Sequence, residues 1–184
     1  MSKRALIVID LQNDYFSGGK FELENIEAAA DNAAHLLDAA RQSGDLVVHV
    51  RHEFASADAP FFAPGSDGAA IHPSVQPRDG EAVVLKNAVN AFKGTDLKAI
   101  LDDNGITDVT IAGAMSHMCV EGATRAAADY GYPVTVIHDA VATRALEFNG
   151  EVIPAAQVHA AAMAALGFAY ATLQATDEYL ENKV

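Results

Sequence analysis

The residues with the most chemical promise are few. Cys119 is the only cysteine of the chain, and it closes the run Ile111-Ala112-Gly113-Ala114-Met115-Ser116-His117-Met118-Cys119-Val120. An apolar, strand-like segment ends at Gly113. A helical pattern begins near Cys119 and continues through Ala123, Ala127 and Tyr130. The thiol therefore falls at a strand-to-helix turn, where the unpaired N–H groups and dipole of a helix N-terminus favour an anion. Such a place stabilises a thiolate and can hold an oxyanion. A lone cysteine is equally consistent with a small buried hydrophobe, so its chemistry depends on what stands beside it. Two charged residues occupy comparable places. Asp10 follows the apolar run 5–9, and Lys86 follows the apolar run 82–85. An acid, a cation and a thiol are the parts that nucleophilic catalysis needs.

Those three residues can meet only if the elements that carry them lie side by side. Strand-like runs at 5–9, 46–50, 82–85, 109–112, 134–137 and 169–173 alternate with helix-period segments at 26–42, 95–104, 120–130, 154–166 and 176–180. The strands are continuous Val, Ile and Leu runs without polar alternation, as expected when helices cover both sheet faces. Gly44, Gly105, Gly131 and Gly167 each follow a helical pattern as C-terminal caps do. The pattern predicts an α/β fold: one doubly wound (Rossmann-like) domain over residues 1–184, with a mostly parallel six-stranded sheet and no repeat or linker.

Ligands bind at the carboxyl ends of such strands. The residues found there are Asp10 to Asp14, Arg51 and His52, Lys86 and Asn87, Gly113 to Cys119, and His138, Asp139, Thr143 and Arg144. Asp10, Lys86 and Cys119 thus converge on one edge. The connection 53–80, with Phe54, Phe61 and Phe62, reads as a lid or as an ordered loop with its aromatics tucked onto the core.

Composition narrows the function classes. The chain has 184 residues, half of them apolar, and a formal charge of −13. So acidic a chain is a poor match for a phosphate backbone, so no nucleic-acid partner is expected. No apolar run is long enough to span a bilayer, and the short run after Lys3 and Arg4 reads as a first strand rather than a signal peptide. One cysteine excludes an internal disulfide and fits a cytoplasmic protein. A dinucleotide role is disfavoured, because no Gly-x-Gly-x-x-Gly run follows the first strand.

In sum these residues resemble the isochorismatase-like cysteine hydrolase superfamily. The elements are Ile9-Asp10-Leu11-Gln12-Asn13-Asp14-Tyr15-Phe16, Lys86, Asn90-Ala91-Phe92, Thr95-Asp96-Leu97 and, most specific, Gly113 to Val120. The resemblance covers essentially the whole chain. It implies strand order 3-2-1-4-5-6, a catalytic triad of Asp10, Lys86 and Cys119, and a cis peptide between Ala114 and Met115. It also implies a dimer or tetramer acting on a small-molecule substrate. In the chemistry it implies, Cys119 attacks an amide-like carbonyl, Asp10 moves the protons, and the N–H groups of Met115 and Cys119 hold the oxyanion.

The chain departs from that pattern in places. The nicotinamidase branch carries an Asp and two or three His as metal ligands after the second strand. Here the segment is Val48-His49-Val50-Arg51-His52-Glu53, so neither metal nor other cofactor is expected and His52 becomes a polar pocket residue. Ser116 stands where Thr is usual. Gln12, Phe16, Asn90, Phe92, His117 and Phe148 join His52 as expected substrate contacts, while His35 and His159, inside helical patterns, are expected to be structural. The segment 143–150 is placed to close over the site or to meet a neighbouring subunit. The Ser-His-Met-Cys turn is similar to that of lactam-opening, streptothricin-hydrolase-like members. The leading expectation is metal-independent C–N cleavage of a small amide, lactam or ureide through a thioester. The alternatives are vinyl-ether hydrolysis with Asp10 as general acid, and a noncatalytic small-molecule or thiol-sensor protein.

Overall fold

A computed structural model describes residues 3–182. In chain order its elements are β1 (Arg4–Ile9), α1 (Ile26–Ser43), β2 (Leu46–His52), β3 (Ala82–Lys86), α2 (Leu97–Asp103), β4 (Asp108–Ala114), α3 (Glu121–Asp129), β5 (Val134–Ala142), β6 (Leu146–Phe148), β7 (Glu151–Ile153), α4 (Ala155–Ala169), β8 (Thr172–Gln174) and α5 (Thr176–Glu181). Six strands pair in parallel in the order β3-β2-β1-β4-β5-β8. The expected winding holds, with β8 as the sixth strand of the sheet. The short antiparallel hairpin β6–β7 stands outside it.

Alternation along the strands divides the core. From β1, Ala5, Ile7 and Ile9 face one helical layer, together with Val109 and Ile111 of β4. Leu6 and Val8 face the other, with Leu36, Leu37 and Ala40 of α1. Burying one such aliphatic side chain is worth about 1.5–3 kcal/mol. Coverage is incomplete at the edge. Val83 and Leu85 of β3 are 47% and 43% exposed while Val84 between them is buried. The expectation of helices over both faces therefore fails for β3, which lies beyond the reach of α1 on one side.

Glycines set the helix ends with one exception. Gly44 closes α1 in the left-handed conformation (φ 71°). Gly167 is no cap; it lies inside α4, where an added Cβ would stand 3.0 Å from Leu173 Cδ1. Glycine there lets α4 pack closely on β8. The helix then runs on to Ala169, and the last strand starts at Thr172, not at 169. β5 is longer than its apolar run. Its register against β4 breaks between the Ile111–Val136 and Gly113–Val141 pairs, and the chain beyond the break rejoins the sheet through Val141 and Ala142.

The 53–80 connection is ordered, with short 3-10 turns at Asp67–Ala69 and Pro73–Val75. Phe62 is fully buried against Tyr15, ring centroids 4.5 Å apart, and Phe61 stacks on Phe21 at 4.1 Å. Buried Asp14 fastens this loop: its Oδ2 accepts the Phe62 N–H at 2.7 Å, and its carboxylate leaves no space for a side chain at Gly68. In the middle of β2, buried His49 donates from Nε2 to Glu81 Oε2 at 2.9 Å. Arg41 grips the same carboxylate in a fork, at 2.7 and 3.0 Å. That grip holds the Glu81 pKa down at about 2.

Candidate active site

Three strands of the sheet, β1, β3 and β4, deliver the three candidate residues, with β2 between β3 and β1. Asp10 leaves β1 in the left-handed region (φ 52°), with its N–H donating to Val50 O at 2.8 Å. A non-glycine residue adopts this conformation only where its surroundings hold it. Beside it Gly113 of β4 has φ 129°, and a Cβ there would collide with the backbone of Ile9. Glycine lets β4 pass this close to the turn that aims Asp10. Lys86 ends β3, next to β2, with His52 as its register partner. Cys119 sits in a π-helical turn, Ser116–Val120, that follows the cis peptide Ala114–Met115 and leads into α3.

The Lys86 ammonium is the hub. Its Nζ lies 2.8 Å from Asp10 Oδ2, 3.2 Å from Cys119 Sγ and 3.0 Å from His52 Nδ1. An ammonium has three N–H donors, and here each has an acceptor. Asp10 and Lys86 are buried and Cys119 is nearly so. Burial disfavours the Lys86 charge, but Asp10 and Cys119 beside it more than offset this and raise its pKa. Burial also pushes the Cys119 thiol well up, helped by the Asp10 carboxylate and opposed by Lys86. The resting cluster is therefore a neutral thiol beside an ammonium–carboxylate pair. Among the described residues Asp10 Oδ1 has no hydrogen-bond donor, and Oδ2 has the Lys86 ion pair. A buried acceptor left open next to a thiol is placed to take its proton.

The expected substrate contacts separate into several roles. His52 accepts from Lys86 at Nδ1, and burial followed by the Lys86 charge lowers its pKa. It is thus a neutral prop for the lysine. Gln12 is tied into the fold. Its amide donates to His52 O and Ala69 O and accepts from His52 N, all within 2.7–2.8 Å. Both of its N–H groups are committed to bracing the loop. Asn90 Oδ1 accepts the Phe92 N–H at 2.9 Å and shapes a turn. Phe92 is buried beside Tyr130, and Phe16 stacks on His72 at 3.6 Å. His117 is half-buried with Nδ1 2.8 Å from Thr143 Oγ1. Phe148, on β6 of the hairpin, is 68% exposed.

Two residues near the cluster were not among those contacts. Tyr15 is buried, and burial followed by the charges of Asp10 and Cys119 opposes its ionisation. Arg144 lies over the Phe21 ring at 4.1 Å, acts electrostatically on Tyr15, and forms no ion pair among the described residues. Tyr15 lies inside the quoted motif and Arg144 directly beyond β5. Their proximity depends on aromatic packing between distant segments, which spacing does not reveal.

The arrangement can support nucleophilic attack at a small carbonyl compound. Comparison with known proteins places it in a family. The Isochorismatase domain model matches residues 4–176. A crystal structure of an isochorismatase hydrolase from Oleispira antarctica is 57% identical, with a TM-score of 0.95 over 98% of this chain and 97% of that one. An uncharacterised isochorismatase family protein, YddQ of Bacillus subtilis (strain 168), is 44% identical over 96% of this chain and 98% of its own. A streptothricin hydrolase of Streptomyces noursei is 35% identical over 89% of this chain and 59% of its own. The relatives also include amidohydrolases, among them a maleamate amidohydrolase of Pseudomonas putida. The sheet order, the strand-end site and these likenesses agree: the chain belongs to the isochorismatase family of hydrolases.

Proposed function

We propose that this protein is a metal-independent cysteine amidohydrolase that cleaves a C–N bond of a small amide, lactam or ureide. The supporting observation is the Lys86 ammonium, bonded at once to the Asp10 carboxylate and the Cys119 sulfur in a buried cluster. As the substrate carbonyl approaches, the thiol proton passes to Asp10 and sulfur bonds to carbon. Lys86 keeps its proton and balances the thiolate charge. The N–H groups of Met115 and Cys119 receive the oxyanion, each such donor being worth about 3–4 kcal/mol. Asp10 then gives its proton to the nitrogen, the C–N bond breaks and a thioester remains. Water loses a proton to Asp10 as its oxygen attacks the thioester carbon. Collapse releases the acid and the thiolate, which recovers the proton from Asp10.

The absence of an Asp-x-His set after β2 supports action without a metal. The nearest imidazole, His52, turns Nδ1 to an ammonium, a poor neighbour for a cation. Arg144, free of carboxylate partners among the described residues, favours a substrate with an electron-rich or acidic end. The test is an ammonia-release screen over small amides and ureides, with lactam opening followed by mass spectrometry, and Cys119→Ala as the blank. Turnover of at least one amide by the wild type and none by the variant is expected; equal rates refute the assignment.

A further inference from the structure

The turn that presents Cys119 is held from behind by a residue far along the chain. Ser116 is fully buried, and its Oγ lies 2.7 Å from Nδ1 of His159 on α4. Its only other partner among the described residues is Ala142 O, at a long 3.4 Å. The neighbouring His117 is tied in the same way to Thr143 at the end of β5. His159 also lines a solvent-open cleft of about 340 Å³, with Glu24, His138, Thr143 and Ala155 among its other walls. The Ser116–His159 hydrogen bond ties the turn to α4 alongside the apolar packing of Val120.

We propose that His159 is a positioning residue: through Ser116 it fixes the turn whose N–H groups receive the oxyanion. This rests on the thioester reading for its catalytic consequence, but the pinning of the turn does not. Burial, with His138 nearby, favours the neutral imidazole of His159, which can accept from or donate to the Ser116 hydroxyl. The role differs from simple helix packing in a testable way. Oxyanion donors act in the transition state, and a displacement of about 1 Å costs about 100-fold in rate. Loss of the pin thus lowers kcat and leaves substrate binding alone.

The experiment compares wild type, His159→Ala, His159→Asn and Ser116→Ala. Thermal melting first establishes folding, with Ser116→Ala testing the same bond from its other end should His159→Ala fail to fold. Backbone hydrogen exchange of peptides covering 115–120 is then read by mass spectrometry, alongside steady-state kinetics on the amide found by the screen. In His159→Ala and Ser116→Ala we expect exchange about tenfold faster in that segment, kcat lower by about 10- to 100-fold and KM within twofold. The double variant should be no worse than either single one. His159→Asn, whose amide reaches the place of Nδ1, should restore slow exchange and most of kcat. Unchanged exchange in both single variants overturns the proposal, and so does a raised KM with normal kcat. Faster exchange in a protein whose wild type turns over no amide keeps the pin and removes the amidase assignment instead.

Discussion

Replacing Asp10 by Asn separates the two things that this carboxylate does to Cys119. As a base it is needed for hydrolysis. As a fixed negative charge it makes the thiol harder to ionise. Asp10 Oδ2 and the sulfur both touch Lys86 Nζ, at 2.8 and 3.2 Å, so the two atoms are no more than about 6 Å apart. Two unit charges about 6 Å apart at an effective dielectric of about 20 interact by about 2.8 kcal/mol, or about two pKa units. Asp10→Asn removes that repulsion and leaves the Lys86 attraction. At pH 8, below the raised thiol pKa, the thiolate fraction then grows about 100-fold. A less basic thiolate is also less nucleophilic, which gives back about tenfold. Iodoacetamide should therefore alkylate the variant about tenfold faster than wild type, while amide hydrolysis falls by several orders of magnitude. With only one cysteine in the chain, the mass of the adduct reports this site alone. A folded Asp10→Asn protein that is alkylated at the wild-type rate or slower refutes the electrostatic account of the cluster.

Further outcomes follow from the same structure. Cys119→Ser keeps the shape but substitutes a hydroxyl that Asp10 is too weak to ionise, so the folded variant should lose activity by several orders of magnitude in the ammonia assay; retention of most of the rate would point to ether hydrolysis by Asp10 as acid. Activity should survive prolonged dialysis against a strong chelator, and recovery on adding zinc after loss would refute metal independence. Glu81 is held near pKa 2 from an ordinary 4.5, so its contribution is complete above about pH 4.5 and disappears as pH falls toward 2. Glu81→Gln should flatten the acid limb of a pH–denaturation series by about 1–2 kcal/mol, after allowance for solvent screening. Gly113→Ala should lose several kcal/mol in urea melts, because a side chain there meets the Ile9 backbone and φ 129° suits glycine alone.

Much of the fold was legible because long Val- and Ile-rich runs and the helical periods between them carry their own signal. The grouping of the three candidate residues was legible for a related reason: each stands at a strand end or in the turn after one. The hairpin β6–β7 escaped because three-residue strands are too short to show alternation. β5 was cut at Ile137 because polar His138 and Asp139 interrupt the apolar run where the register breaks. The internal hydrogen bonds of Gln12 and His52 were not legible for another reason. A polar side chain at a strand end looks alike whether it faces a ligand or its own chain. Gln12 finds its partners 40 and 57 residues away, and those contacts exist only in the folded molecule. Phe148, expected as a substrate contact, is 68% exposed on β6.

The three-way bonding of Lys86 has an electrical consequence. At rest the cluster holds one positive and one negative charge, an un-ionised thiol and a neutral imidazole. After the thiol proton has crossed to Asp10, it still holds one of each, with the negative charge now on sulfur. In the proposed mechanism the first chemical step relocates a charge without creating one, and the ammonium sits against both positions. The interior need not solvate a new ion, which a medium so poor in water does badly. The −13 carried by the chain as a whole also has little purchase on the step, since a distant charge acts on the small displacement alone. A strongly acidic protein can in this way generate a thiolate inside itself.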